Sequence, residues 1–184
     1  MNRPLLERLT RLRRHLWWDE SDTQRQMPPA ATQRLTQRVA ASERLHSGQI
    51  RLCIEAALPA GDVWRAHRAS AVRQRAIAMF SQLRVWDTEH NNGVLIYLLL
   101  AEQAIEIVAD RALARRVSPA QWHDIISRMA PALAAKRFED GLNQALADTT
   151  ALLAQHFGNS GEAPTANNTL PARINELPDA PFQQ

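Results

Sequence analysis

Leu5, Leu9, Leu12 and Leu16 recur at spacings of four, three and four, which places them on one helical face with arginines over much of the remainder. Trp17-Trp18 follow directly. Asp19–Gln26 then carries no large apolar residue, and Pro28-Pro29 punctuates the chain. The pattern predicts an amphipathic N-terminal arm and linker over 1–26. From Pro28 the spacing predicts a helix whose buried face is Ala31, Leu35, Val39 and, near its end, Leu45, because proline suits a first turn and Ser47-Gly48 suits a stop. At Gln49 the period drops to two. Ile50, Leu52 and Ile54 alternate with Arg51, Cys53 and Glu55, the signature of a half-buried strand.

Helical spacing returns over 70–86, with Val72, Ala76, Met79, Phe80 and Leu83 as the apolar stripe. The turn cluster Asn91-Asn92-Gly93 opens the most apolar run in the chain, Val94–Leu100. Apolar at both alternating positions, this strand is expected to be central and covered on both faces. After a short reversal at Ala101–Gln103, Ile105, Ile107 and Val108 predict a third strand, antiparallel to the second. Ser118-Pro119-Ala120-Gln121 reads as a capped helix start, with Trp122, Ile125, Ile126 and Met129 inward and Pro131 as its kink or end. A last helix over 138–157 buries Phe138, Leu142, Leu146 and Leu153. From Gly158 the Asn-, Pro- and Thr-rich chain reads as a disordered tail over 158–184. The expected fold is thus α/β: a small mixed sheet of three to four strands sandwiched by helices, in the order α-β-α-β-β-α-α, with the domain over 27–157.

A hydrophobic content of 45% in 184 residues is that of one globular domain with tails. The net charge of +3 changes meaning once divided along the chain. Residues 1–16 hold five arginines against Glu7, giving +4; the remainder holds 17 basic and 18 acidic residues, giving −1. A balanced body argues against a phosphate-gripping surface, so no nucleic-acid partner is expected. A lone cysteine, Cys53, forms no internal disulfide, and no apolar run approaches the roughly 18 residues of a membrane span. Arginines interrupt any secretory leader, so a cytoplasmic protein is expected, peripheral at the inner membrane if the arm docks there.

A right-handed crossover makes the first two strands parallel, and the hairpin brings the third back beside the second. That places Ser47–Gln49, Glu89–Gly93 and Asp110-Arg111 at one end of the sheet. The run Val85-Trp86-Asp87-Thr88-Glu89-His90-Asn91-Asn92-Gly93-Val94-Leu95-Ile96-Tyr97, followed by Ile105–Arg111 and preceded by His46–Arg51, resembles the TPM domain, in its soluble proteobacterial branch. The likeness covers roughly 27–157. It implies an α/β sandwich, and it brings the properties associated with some relatives: weak acid phosphatase activity, calcium binding, a role in photosystem repair in the thylakoid lumen, and LemA-type membrane proteins as neighbours. Gln49 stands where many relatives carry an acid, and Ala112 where glycine is common.

The strongest constellation is Glu89, Asn91, Asn92 and Asp110, with His46 and Arg111 nearby. Carboxylate and amide oxygens are what calcium or magnesium uses, and water or backbone carbonyls would complete the shell. The same residues also read as turn formers with a surface ion pair at Asp110-Arg111. Nucleophilic catalysis has little support: Cys53 lies within a strand pattern, and the six histidines show no zinc-ligand spacing. Phosphatase activity would therefore depend on a bound cation. The arm offers a second surface, Leu5, Leu9, Leu12, Leu16, Trp17 and Trp18 with Arg11 and Arg14. Its alternatives are an anionic membrane or membrane-protein partner, packing on the body, or disorder. The function expected first is an interaction or accessory module, and second a weak divalent-metal-dependent phosphatase.

Overall fold

The structure is a computed structural model that describes residues 3–65, 67–158 and 175–184. Its elements are α1 (Arg3–Trp17), α2 (Glu20–Gln26), α3 (Pro29–Glu43), β1 (Gln49–Glu55), α4 (Ala60–Arg65), α5 (Arg68–Gln82), β2 (Gly93–Leu99), β3 (Ala104–Ala109), α6 (Arg111–Ala114), α7 (Pro119–Ala134), α8 (Phe138–Phe157) and β4 (Phe182–Gln183). The sheet order is β3-β2-β1-β4. β1 runs parallel to β2, starting in register Gln49 with Gly93, and β3 returns antiparallel with Ala109 opposite Val94. This is the mixed α/β sandwich that the periodicity predicts.

Alternation along the strands divides the core into two layers. Ile50, Leu52, Ile54, Val94, Ile96, Leu98, Ile105 and Ile107 face one way, against α3, α7 and α8. Cys53, Leu95, Tyr97, Leu99 and Val108 face the other, against α4 and α5. All seven residues of β1 are buried, so it is covered on both faces rather than half-exposed. Its polar side chains are satisfied beneath that cover: Arg75 clamps Glu55, whose Oε2 also accepts the Tyr97 hydroxyl at 2.6 Å. Arg51 Nη1 donates to the carbonyls of Pro178 and Ala180, each at 2.6 Å.

Several local readings are corrected. Asp19–Gln26, expected as a linker, is the short helix α2, because Asp19 and Asp22 form a reciprocal capping box. Pro131 does not end α7, which continues to Ala134, although proline removes the one N–H that would reach the carbonyl of Ser127. The Ser118–Gln121 capping box forms as expected. Leu45, expected on a buried face, is exposed beyond the end of α3. Of the tail, 159–174 lies outside the described residues. Residues 175–184, expected as disordered, return to add β4 beside β1: the Gln184 N–H donates to the Ile54 carbonyl at 3.0 Å, and the Ala56 N–H to the Gln184 carbonyl at 2.8 Å. Leu177 is buried in the second layer.

The arm is a helix docked on the body. Arg11 Nε and His15 Nε2 approach Glu102 Oε1 at 2.5 and 2.8 Å, and Leu12 packs against the second layer.

Candidate functional site

Two backbone bonds build the rim at the start of β1 and β2. The Asp110 N–H donates to the Gly93 carbonyl at 2.9 Å, and the Ala112 N–H to the Asn91 carbonyl at 3.0 Å. The turn 91–93 is thereby stitched to 110–112. Only Asn91 of the turn has a left-handed backbone, φ 51°, which asparagine tolerates well. Gly93 is needed for a different reason. A Cβ there would lie 2.0 Å from the Val85 carbonyl oxygen, so only glycine permits the close approach.

The four expected ligands separate into two pairs. Glu89 is exposed, and its carboxylate has no hydrogen bond or ion pair among the described residues. Asn91 Oδ1 accepts a hydrogen bond from Arg111 Nη2 at 3.2 Å. Asn92 and Asp110, by contrast, are buried and each keeps one unsatisfied oxygen. Asn92 donates its Nδ2 to Ser47 Oγ at 3.3 Å, and its backbone N–H goes to Thr88 Oγ1 at 3.2 Å, which leaves Oδ1 without a partner. Asp110 caps α6 by accepting the Arg111 N–H on Oδ1 at 2.6 Å, with Arg111 Nε 3.8 Å from the same oxygen, and its Oδ2 has no hydrogen-bond partner. Other oxygens without a hydrogen bond lie apart: Asn143 Oδ1 and Thr149 Oγ1 on α8, and Glu102 Oε2 between β2 and β3, where Arg68 pairs with it.

His46, expected nearby, is a structural residue: its ring bridges Ser42 Oγ at 2.9 Å and the Gly48 carbonyl at 3.1 Å. Beside the rim, His90, Asn91, Arg111, Ala112 and Arg115 line an open cavity of about 320 Å3, two of whose five lining residues are arginines. The sequence reading missed Arg115, and it missed Glu176, whose Oε2 accepts the Glu89 N–H at 2.8 Å. Gln49 Oε1 accepts the N–H groups of Glu176 and Leu177, at 3.1 and 3.3 Å. No sequence signal marks Glu176, because it reaches the rim from the far end of the chain.

Among the described residues no three His, Cys, Asp or Glu side chains converge as metal ligands. A cation here would combine one carboxylate, one amide, and carbonyls or water, a set that suits hard cations and not zinc. Cys53 offers no nucleophile: it is buried in a strand, and burial pushes its thiol far up.

Of the arm's expected docking residues, Leu9, Leu16, Trp17 and Arg14 are exposed, whereas Leu12 and Trp18 pack on the two core layers and Arg11 pairs with Glu102. The Leu5 side chain lies outside the described residues. Among the described residues no helix is long and apolar enough to cross a membrane.

Comparison with known proteins gives the fold a lineage. The NMR structure of BA42 protein from the psychrophilic bacterium Bizionia argentinensis superposes with a TM-score of 0.67 at 21% identity, covering 84% of this chain and 93% of that one. No curated protein matches the chain. A family model described as the TPM domain matches residues 21–152, well over half of the chain. This protein therefore belongs to the TPM domain family.

Proposed function

We propose that the chain is a binding module whose rim takes a divalent cation, calcium or magnesium, between Asn92 and Asp110, with an anionic group of the bound molecule against Arg111 and Arg115. One observation carries this reading: two oxygens, one of them on a carboxylate, are buried at the joined strand ends without a partner. Leaving a buried acceptor unsatisfied costs about 1–3 kcal/mol, more for a charged group, and a bound cation offsets that cost. With few protein oxygens and water completing the shell, the affinity belongs to the weak end of the calcium range, a Kd on the order of 1 mM.

The test is thermal and calorimetric titration of the full chain with calcium or magnesium chloride. At about tenfold excess over such a Kd, native-state binding contributes about 1.4 kcal/mol and raises Tm by several degrees. Asp110→Asn keeps the Oδ1 cap acceptor while removing the charge, so it should lose most of this rise. An equal rise in Asp110→Asn sinks the assignment.

The arginine-lined cavity favours a second reading, weak phosphate-ester hydrolysis. Arg111 and Arg115 would hold the phosphoryl oxygens, Asp110 and Asn92 would hold the cation, and a bound cation supplies Lewis-acid polarisation. Turnover of p-nitrophenyl phosphate that disappears in Asp110→Asn, with a raised KM in Arg115→Ala, supports it. Cation binding without turnover leaves the binding module alone.

A further inference from the structure

α1 is attached to the body by its polar edge. Arg11 and His15 reach Glu102, Arg11 Nη1 donates to the Val63 carbonyl of α4 at 3.2 Å, and Leu12 turns inward. Successive helix residues rotate by about 100°, so Leu6, Leu9, Arg13, Leu16 and Trp17 share a single arc on the side away from Arg11 and His15. The four apolar members of that arc are exposed by 41%, 44%, 67% and 74%. Arg13 stacks over the Trp17 ring at 5.2 Å, and Arg8 and Arg14 are exposed to either side. On α4, which packs against α1, Trp64 is exposed as well.

We infer that this face of α1 lies on an anionic lipid surface. Leu6, Leu9, Leu16 and Trp17 enter the boundary between headgroups and acyl chains, and Arg8, Arg13 and Arg14 lie against lipid phosphates. The charge favours this occupant: residues 1–16 carry +4 while the rest of the chain carries −1. A second copy of the chain is disfavoured, since pairing through this arc sets the arginines of both copies against each other. Shape and chemistry agree. The arc is one face of a helix, its tryptophan has the amphipathic ring found at membrane interfaces, and arginine stems extend apolar cover while their heads stay hydrated. The inference is independent of the rim site.

The test is flotation of the full chain with vesicles of neutral phosphatidylcholine, alone or mixed with anionic phosphatidylglycerol. Partitioning onto anionic vesicles should exceed that onto neutral ones by about tenfold or more and fall in about 0.5 M salt. Leu9→Glu/Leu16→Glu and, separately, Arg8→Glu/Arg14→Glu should each lower it by about tenfold, because all four side chains are exposed and their replacement leaves the fold in place. Ile77→Glu, at an exposed apolar site on α5, serves as the control and should bind like the unaltered protein. Equal partitioning onto neutral and anionic vesicles overturns the inference. So does undiminished binding by Leu9→Glu/Leu16→Glu, or a dimer that forms through this face while vesicles are ignored.

Discussion

Glu102→Gln is expected to remove about 3 kcal/mol of stability at neutral pH. Glu102 is fully buried in the reversal between β2 and β3. Its Oε1 takes Arg11 and His15, and Arg68 Nε stands 2.8 Å from Oε2. His15 is oriented from behind, because the Leu58 N–H donates to Nδ1 at 3.0 Å, so Nε2 carries the proton given to Glu102. Burial opposes the carboxylate's charge, but hydrogen bonds from His15 and Arg11 outweigh it and hold the group down at about 2, against an ordinary 4.5. At about 1.4 kcal/mol per unit that depression is worth about 3 kcal/mol, in line with the cost of breaking a buried ion pair. The folded-state value lies below the unfolded one. The contribution is therefore complete above pH 4.5 and lost as pH falls through about 2. Urea unfolding followed by circular dichroism, for both proteins between neutral pH and about pH 3, reads the gap directly. Amide exchange at Leu58 reports whether α1 lifts locally before the body unfolds. A gap below about 0.5 kcal/mol at neutral pH refutes the ion-pair argument. A gap that stays constant down to pH 3 refutes the titration argument even if the stability loss is found.

Glu43 titrates in the opposite direction. Burial, and the Asp179 carboxylate hydrogen-bonded to it, push it up to about 7, so a stability cost appears as pH rises from 4.5 through 7. Glu43→Gln keeps an acceptor for the Ile50 N–H; it should flatten that slope and melt higher than the unaltered protein at pH 8, by the equivalent of about 1–2 kcal/mol. A lower melting point at pH 8 contradicts this account. Gly93→Ala should cost more than about 2 kcal/mol, since its Cβ meets backbone rather than a movable side chain. Denaturant midpoints check it, and a near-neutral result shows that the turn yields.

How much of this the sequence disclosed depends on whether burial or partner choice decides the position. Val94–Leu100 announces a central strand because both of its faces are apolar, and the crossover rule then fixes β1 beside β2 and the rim beside Asp110. Periodicity fails where a polar side chain is buried against a distant partner. Leu5, Leu9, Leu12 and Leu16 share one face by spacing, yet the anchoring edge of α1 is Arg11 and His15, because Glu102 lies beneath it. Hydropathy cannot announce that pairing across 87 residues. The C-terminal strand was hidden for the same reason: 175–184 is polar in composition, and its docking runs through carbonyls held by Arg51 and N–H groups held by Gln49. Glu176 reaches the rim only as a consequence.

The two ends of the sheet are consequently unequal. In open parallel sheets ligands ordinarily gather at the carboxyl ends of the strands. Here those ends of β1 and β2 are closed. The Leu100 N–H bonds the Glu55 carbonyl, the Ala101 N–H bonds that of Ala56, and α1 covers the reversal with Arg11 and His15 on Glu102. The buried acid there, Glu102, is matched by Arg11, His15 and Arg68, and Arg11 also reaches the Val63 carbonyl. At the amino ends of β1 and β2, where antiparallel β3 contributes its own carboxyl end, Asn92 and Asp110 keep unmatched oxygens next to an arginine-lined cavity. The antiparallel return is what makes that end chemically mixed: it sets the cap residue of α6 beside a strand-opening turn, and so puts a carboxylate, an amide and two arginines at one place. A sheet with β3 parallel would send Asp110 to the opposite end, and the polar rim would not exist.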